Sequence, residues 1–221
     1  EYSAGEVIAS GMRNESGLAF DRAGRLWGVE NGRDSLARPL GNDIHIDNPA
    51  EELNLIDTVT PRFYGYPSCF SEGVLPGGSG PGTQHADPES LAPAPRGDEW
   101  CRDPANVRPP AFAMPAHWAP LGVTEYTGSL LPWRGSLLIA SHGSWNRESM
   151  QNGRLVARAD VAADGTVRSL APVVGALRGG ALVQGTWDAK PVDLREGPDG
   201  AVYVSDDLGN RVLRIGYRPA D

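Results

Sequence analysis

The chain has few cysteines, little positive charge and no long apolar run, and each shortage excludes a class of function. The net charge is −8 and no basic run occurs, which argues against nucleic acid and anionic membranes as partners. No stretch approaches the roughly 18 apolar residues of a membrane span. Residues 1–10 lack the basic start and apolar run of a signal peptide. Any export signal is therefore expected to have been removed or to lie upstream.

Several catalytic motifs are also missing. The sequence contains no Gly-x-Ser-x-Gly and no glycine loop of the kind that cradles phosphates, which argues against serine hydrolases and nucleotide chemistry. No His-Glu or Cys-His spacing typical of zinc is present. The function must therefore rest on other residues.

Glycine and proline are abundant, with 28 and 19 among 221 residues, as expected for an all-β chain with many turns. One pattern of strand, glycine turn and strand recurs over 17–32, 120–142 and 192–207. Such repeats indicate a β-propeller, here a single partial domain over 1–221 with about three blades. Known propellers have about 4–8 blades. We therefore expect either a fragment whose N-terminal half is absent or two copies that close one ring.

The pattern predicts strands in most of the chain, and no amphipathic helix. Hairpin signals such as Asp164-Gly165 and Asp199-Gly200 separate several of them. Segment 33–50 is expected to be a long loop, and the Gly- and Pro-rich segment 66–115 an irregular insertion with no regular strand. The predicted strands are 5–10, two within 17–30, 52–56, 121–126, 135–141, 153–160, 166–174, 191–195, 201–205 and 211–217.

The two cysteines, Cys69 and Cys101, both lie in segment 66–115. A disulfide between them would brace this insertion and would indicate an oxidising compartment, so that the protein is secreted or periplasmic. The alternative is a pair of reduced, buried thiols in a cytosolic protein.

Two polar motifs follow or precede predicted strands. Arg13-Asn14 stands before a strand, where its N–H donors can bind an oxyanion or a quinone oxygen; a solvated turn is the alternative. Asn14 also begins a formal glycosylation sequon. Asn31-Gly32-Arg33-Asp34 ends the next strand, where backbone carbonyls can face a hard cation such as Ca²⁺; an ordinary turn is the alternative.

Two histidines flank the middle repeat. His117 precedes it, and His142 follows its second strand in the run His142-Gly-Ser-Trp-Asn-Arg147. Loop ends of one blade meet at the propeller channel, so these residues can share a functional site; a structural role is the alternative.

Together these motifs resemble the glucose/sorbosone dehydrogenase family of six-bladed quinoprotein propellers, over nearly the whole chain. The histidine-bearing motifs resemble its sorbosone and pyranose dehydrogenase branch. The residues that carry the resemblance are 11–14, 17–20, 30–34, 51–55, 63–67, 116–122 and 142–147.

This resemblance implies a quinoprotein sugar dehydrogenase, in which pyrroloquinoline quinone (PQQ) bound with Ca²⁺ accepts a hydride from a sugar or sugar aldehyde. An external electron acceptor, such as a cytochrome, would then reoxidise the cofactor. Arg13 and His117 would be the catalytic residues, and the carbonyls of Gly32 and Arg33 would bind calcium. The resemblance implies that the cofactor-binding residues are Arg13, Asn14, Asn31, His117, His142, Asn146, Arg147 and Lys190.

The chain also departs from the family pattern. The family's catalytic base is a histidine on an earlier blade, and no part of this sequence corresponds to that blade. Two other functions therefore remain as alternatives. One is a non-catalytic extracellular propeller that binds protein or glycan. The other is a calcium-dependent lactonase with acids such as Glu30 and Asp206 as metal ligands.

Overall fold

The computed structural model describes residues 5–37, 43–90, 96–147 and 152–216. These residues form seventeen strands and one five-residue helix, which confirms the mostly β class. No described helix is long and apolar enough to cross a membrane. The elements are β1 (Ala9–Ser10), β2 (Glu15–Phe20), β3 (Leu26–Glu30), β4 (Glu51–Ile56), β5 (Arg62–Phe63), β6 (Cys69–Ser71), β7 (Gln84–Ala86), α1 (Asp98–Arg102), β8 (Phe112–Met114), β9 (Pro120–Glu125), β10 (Leu137–Ser141), β11 (Leu155–Val161), β12 (Val167–Val174), β13 (Ala176–Arg178), β14 (Ala181–Val183), β15 (Pro191–Glu196), β16 (Val202–Asp206) and β17 (Arg211–Ile215).

Three antiparallel sheets contain the three sequence repeats. Their strand orders are β2-β3-β4-β8, β9-β10-β11-β12 and β15-β16-β17. The first strand of the second sheet, β9, lies between β2 and β15, the first strands of its two neighbours. The loops at one end of these three strands therefore come together. The blade count and the closure of a ring stay predictions.

Buried apolar side chains fill the two spaces between these sheets. Trp27 and Leu53 of the first sheet pack with Ile139 of the second. Leu138 and Leu194 belong to a second cluster, between the second and third sheets. Strand β10 contributes to both clusters because side chains alternate between the two faces of a strand. Leu138 and Ile139 are neighbours in sequence and point to opposite faces. The middle sheet is therefore covered on both faces.

Segment 66–115 differs from the sequence prediction, and the expectation of no regular strand there is wrong. Strands β6 and β7 pair with each other across the glycine-rich loop, and β8 completes the first sheet beside β4. The buried carboxylate of Glu72 accepts hydrogen bonds from Ser79 N and Gly80 N, which orders the loop. Pairing between distant segments produces these strands, and local composition does not reveal it.

Other differences concern the first predicted strand and three elements in the interior of the chain. The predicted strand 5–10 is reduced to Ala9–Ser10, which pairs with β5. The hairpin β13–β14 and the helix α1 were not predicted. Residue 217, the end of the last predicted strand, lies outside the described residues.

The two cysteines form a disulfide, as predicted, with a Cα–Cα distance of 5.9 Å across 32 positions of sequence. Cys101 lies in α1 and Cys69 in β6, so the bond attaches the helix to the β6–β7 pair. Both sulfurs are buried with Val107 in a small apolar cluster. The disulfide is therefore the main covalent brace of segment 66–115.

We expect the double variant Cys69→Ser, Cys101→Ser to lower the free energy of unfolding by about 3 kcal/mol, because the unfolded chain gains loop entropy. Urea denaturation measures this loss. These are the only cysteines of the sequence. Reduction of this disulfide should therefore lower the stability of the wild-type chain by a similar amount and leave the variant unchanged. Equal urea midpoints for oxidised wild type and variant would contradict the prediction.

Candidate functional site

A cavity of about 370 Å³ lies where the loops of the three sheets meet. Most of the predicted site residues share its wall, but Asn146 and Arg147 are not among its lining residues. The predicted residues that line it are Arg13, Asn14, Asn31, Gly32, Arg33, His117, His142 and Lys190.

Arg13 is held by the loop that follows β3. Its Nη1 donates to the carbonyls of Asn31, at 3.4 Å, and of Gly32, and its Nη2 donates to Asp34 Oδ2 at 2.8 Å. Its backbone N donates to Glu30 Oε1 at 2.6 Å. The guanidinium therefore lies against the carbonyl of Gly32, which faces positive charge.

Glu51 joins the loops of the first and second sheets. This buried carboxylate accepts hydrogen bonds from Gly32 N at 2.7 Å and from Ala119 N at 3.1 Å. Asn31 makes a second link, because its Nδ2 donates to the carbonyl of Pro120 at 2.7 Å. Burial raises the pKa of Glu51 to about 7, although both backbone bonds favour its charged form. Together the two links fix the orientation of the Gly32 backbone at the cavity.

His117 has one ring nitrogen engaged. Its Nε2 donates to the carbonyl of His45 at 2.5 Å, and burial lowers the pKa of His117, so the neutral ring is favoured. A neutral ring with a proton on Nε2 carries a lone pair on Nδ1, which can accept a proton. His117 also has a positive φ of 66°, a conformation that a non-glycine residue rarely adopts and that the hydrogen bond from Ser144 N to its carbonyl supports.

His142 differs from His117 because both of its ring nitrogens face acceptors. Nδ1 lies 3.1 Å from the carbonyl of Gly143, and Nε2 lies 2.9 Å from Asp207 Oδ2. The contact with Asp207, which follows β16, joins the loop of His142 to the third sheet. Both ring nitrogens of His142 are therefore occupied by neighbours at the cavity wall.

Two further basic residues of the wall, Lys190 and Arg33, differ in whether they form ion pairs. Lys190 is the only lysine of the sequence, and among the described residues no carboxylate lies within 4 Å of its ammonium group. Arg33 instead forms ion pairs with Asp87 and Glu89, so its side chain is already neutralised. The Lys190 ammonium group is therefore available to bind an anionic ligand. Arg33 can contribute only its backbone carbonyl.

Asn146 and Arg147 lie behind the wall. Arg147 donates to Asp47 Oδ1 at 3.0 Å, and Asn146 is buried with no hydrogen-bond partner for its Nδ2 among the described residues. Asp206, a metal ligand in the lactonase alternative, accepts from Lys190 N and pairs with Arg211. Within the described residues, no three His, Cys, Asp or Glu side chains converge as a metal site.

Sequence reasoning named Glu30 only as a possible metal ligand and missed the row of glutamates to which it belongs, in which Glu30 and Glu52 are buried and Glu15 is partly exposed. Glu15, Glu30 and Glu52 are opposite one another on β2, β3 and β4, and all three lie 3.2–3.3 Å from Asn54 Nδ2. Gly28 leaves the space for this row, since a Cβ there would lie 1.7 Å from Glu15 Oε1. Burial is the main cause that raises their pKa values, to about 7 for Glu15 and about 8 for Glu30 and Glu52.

The sequence analysis also gave no role to Asp34, Glu51 or Trp145, which line the cavity. The pair Glu51-Glu52 carried a usable signal. Two consecutive acids at the start of a strand put one carboxylate on each face of a buried sheet, where each needs a partner.

Comparison with known proteins identifies relatives of the chain. A PQQ-dependent pyranose dehydrogenase from Coprinopsis cinerea is 35% identical over 162 residues, which cover 69% of this chain and 21% of that protein. The structure of the holo form of its PQQ domain superposes with a TM-score of 0.76 at 28% identity, covering 95% of this chain and 55% of that one.

A second structural relative is described as the calcium structure of the Trichoderma reesei carbohydrate-active enzyme of family AA12. It superposes with a TM-score of 0.77 at 26% identity, covering 96% of this chain and 53% of that one. The chain thus spans about half the length of these structures. The resemblance to sugar dehydrogenases is confirmed by these relatives. The TrAA12-like family model matches residues 1–215, and this chain belongs to that family.

Proposed function

We propose that this chain forms part of a PQQ- and calcium-dependent dehydrogenase that oxidises a sugar or sugar aldehyde. The observation that carries the proposal is the cavity wall, where three sheets bring together an arginine, two histidines and a lysine that has no ion pair among the described residues. The relatives named above support it. A ligand with several carboxylates would match such a wall, because each negative group needs a charged donor.

The residues at the cavity wall fit both PQQ and calcium. PQQ is a tricarboxylate quinone, and Lys190 and Arg13 offer positively charged donors to its oxygens. Calcium prefers carbonyl and carboxylate oxygens. The wall offers such oxygens, since Gly32 and Arg33, whose backbone carbonyls would bind the ion, line it together with the carboxylate residues Asp34 and Glu51.

Bound together, PQQ and calcium would supply a hydride acceptor that oxidises the sugar carbon. Arg13 would orient the quinone and stabilise negative charge at its oxygen, because a preorganised guanidinium is effective where water is excluded. Asp34 and the Gly32 carbonyl hold the guanidinium in place. Asn14 and Asn31 line the same wall and would complete the contacts.

His117 would take part in proton transfer. Its neutral ring, with Nε2 on the His45 carbonyl, leaves Nδ1 able to accept a hydrogen bond from a hydroxyl group of the sugar and so to assist the base that the family places on an earlier blade. His142 is unsuited to this role, because both of its ring nitrogens already face other acceptors. His142 would instead contact the cofactor from the cavity wall.

We further propose that the three sheets are about three blades of a family six-bladed propeller, completed by the remaining half or by a second copy. The Cys69–Cys101 disulfide supports a secreted or periplasmic protein. An external electron acceptor, such as a cytochrome, would reoxidise the cofactor.

Titration of the full-length natural protein with PQQ tests the proposal, after removal of metals by a chelator. We expect saturable binding that requires added calcium, followed by sugar-dependent reduction of a dye. The variant Lys190→Ala should weaken PQQ binding by about tenfold, because one charge-assisted bond is lost. Arg195→Ala, which removes an exposed pair with Asp193 away from the cavity, is the matched control. Calcium-independent binding, or no PQQ binding at all, would contradict the proposal.

A further inference from the structure

Trp145 is an exposed aromatic residue at the mouth of the cavity. It lines the cavity with Arg13 and Lys190, yet 82% of its surface is exposed. Two other tryptophans of the chain, Trp27 and Trp118, are completely or almost completely buried. A large indole left in water beside a polar cavity is unusual, because its burial elsewhere in the fold would be favourable.

The loop that carries Trp145 is fixed on both sides of this residue. Ser144 N donates to the carbonyl of His117 at 3.0 Å, and Asn146 N donates to Ser144 Oγ at 3.0 Å. Asn146 is buried, and Arg147 is paired with Asp47. The neighbours therefore point inward, and the indole is held outward by the backbone.

Within the described parts of the chain, the indole has no ring contact and its N–H has no hydrogen-bond partner. Both its apolar face and its polar edge are therefore available. A pyranose with equatorial hydroxyls matches such a surface, since its axial C–H groups form a flat apolar face and its hydroxyls surround that face. The cationic wall, which offers hydrogen-bond donors, lies on the inner side of the same cavity.

We propose that Trp145 is a stacking platform that binds the pyranose ring of the sugar and selects sugars with an apolar ring face. This inference rests on the proposed sugar-oxidising function and adds to it the residue that determines ring specificity. Trp145 would act on sugar binding and not on the chemical step. Covering one indole face, about 60 Å² of apolar surface, corresponds to roughly a tenfold gain in affinity.

Steady-state kinetics of Trp145→Ala in the full-length, cofactor-loaded protein tests this role. We expect KM for an aldopyranose to rise by about tenfold while kcat changes less than about twofold. Trp145→Phe, which keeps an aromatic face, should restore most of the affinity. Val59→Ala, an exposed apolar residue that is not among the lining residues of the cavity, is the matched control and should leave KM unchanged.

A second measurement is independent of turnover. Calorimetric titration with a methyl glycoside of the same pyranose, whose anomeric hydroxyl is blocked, should show about tenfold weaker binding to Trp145→Ala. If no sugar reduces the loaded protein but the glycoside still binds through Trp145, the proposed oxidation fails and the platform stands. An unchanged KM and glycoside affinity in Trp145→Ala, or a loss in kcat alone, would overturn the platform.

Discussion

Replacing Arg13 with alanine is expected to lower kcat of the cofactor-loaded enzyme by about 100-fold or more, in line with the loss of one preorganised donor at a developing negative charge. The guanidinium is held between the Gly32 carbonyl and Asp34, so it needs no reorganisation during the reaction. Single-turnover reduction of the bound cofactor by sugar measures the effect on the chemical step directly.

Two further variants separate this role from a structural one. Arg13→Lys keeps the charge but loses the fork of donors, and an intermediate rate is expected. Arg22→Ala removes an arginine that pairs with Glu125 on the surface and should retain the wild-type rate. If Arg13→Ala retained the wild-type single-turnover rate with cofactor fully bound, Arg13 would have no catalytic role.

The free energy of unfolding is expected to fall by roughly 3 kcal/mol as the pH rises from about 5 to about 8, through the buried glutamate row. Burial first, and then the neighbouring Glu30 carboxylate, raise the pKa of Glu52 from its ordinary value of 4.5 to about 8. The unfolded chain therefore releases this proton near pH 4.5 and the folded chain only near pH 8. Between these values the folded state binds more protons, so its stability is lost as pH rises.

Glu52→Gln provides the test, because glutamine keeps the shape and cannot ionise. Urea denaturation of the cofactor-free protein over this pH range should show a shallower decline than wild type. The variant should also be more stable than wild type above about pH 8. Glu99→Gln, an exposed acid of α1, is the control. A decline as steep as that of the wild type in Glu52→Gln would show that Glu52 is not the group that titrates.

Local pattern was enough to predict the strands of the three sheets, apart from β8. Short-range signals such as the Asp21–Gly24 turn, where Asp21 Oδ1 accepts from Ala23 N, determine the hairpins, and a strand is recognisable from its own residues. The strands of segment 66–115 could not be predicted in this way. Strand β6 exists because β7 pairs with it, and no feature of Cys69–Ser71 alone indicates that partner.

The site residues also divide into those that the sequence motifs predicted and those whose role required the structure. Arg13, His117 and Lys190 were predicted from motifs that resemble a family, and the fold places them around one cavity. The role of Glu51 depends on which two loops approach it, so it required the three-dimensional structure. The different surroundings of His117 and His142 likewise depend on hydrogen-bond partners, His45 and Asp207, that are distant in sequence.

The cavity wall combines loops from three sheets, and this arrangement has a thermodynamic consequence. Any ligand that contacts Arg13, His142 and Lys190 together holds the three sheets at fixed mutual angles. Ligand binding and the packing of sheet against sheet are then linked equilibria, and a ligand at 100 times its Kd adds about 2.7 kcal/mol to stability. A substitution far from the cavity, such as a smaller side chain at Leu138 between the sheets, would therefore be measured as a loss of cofactor affinity.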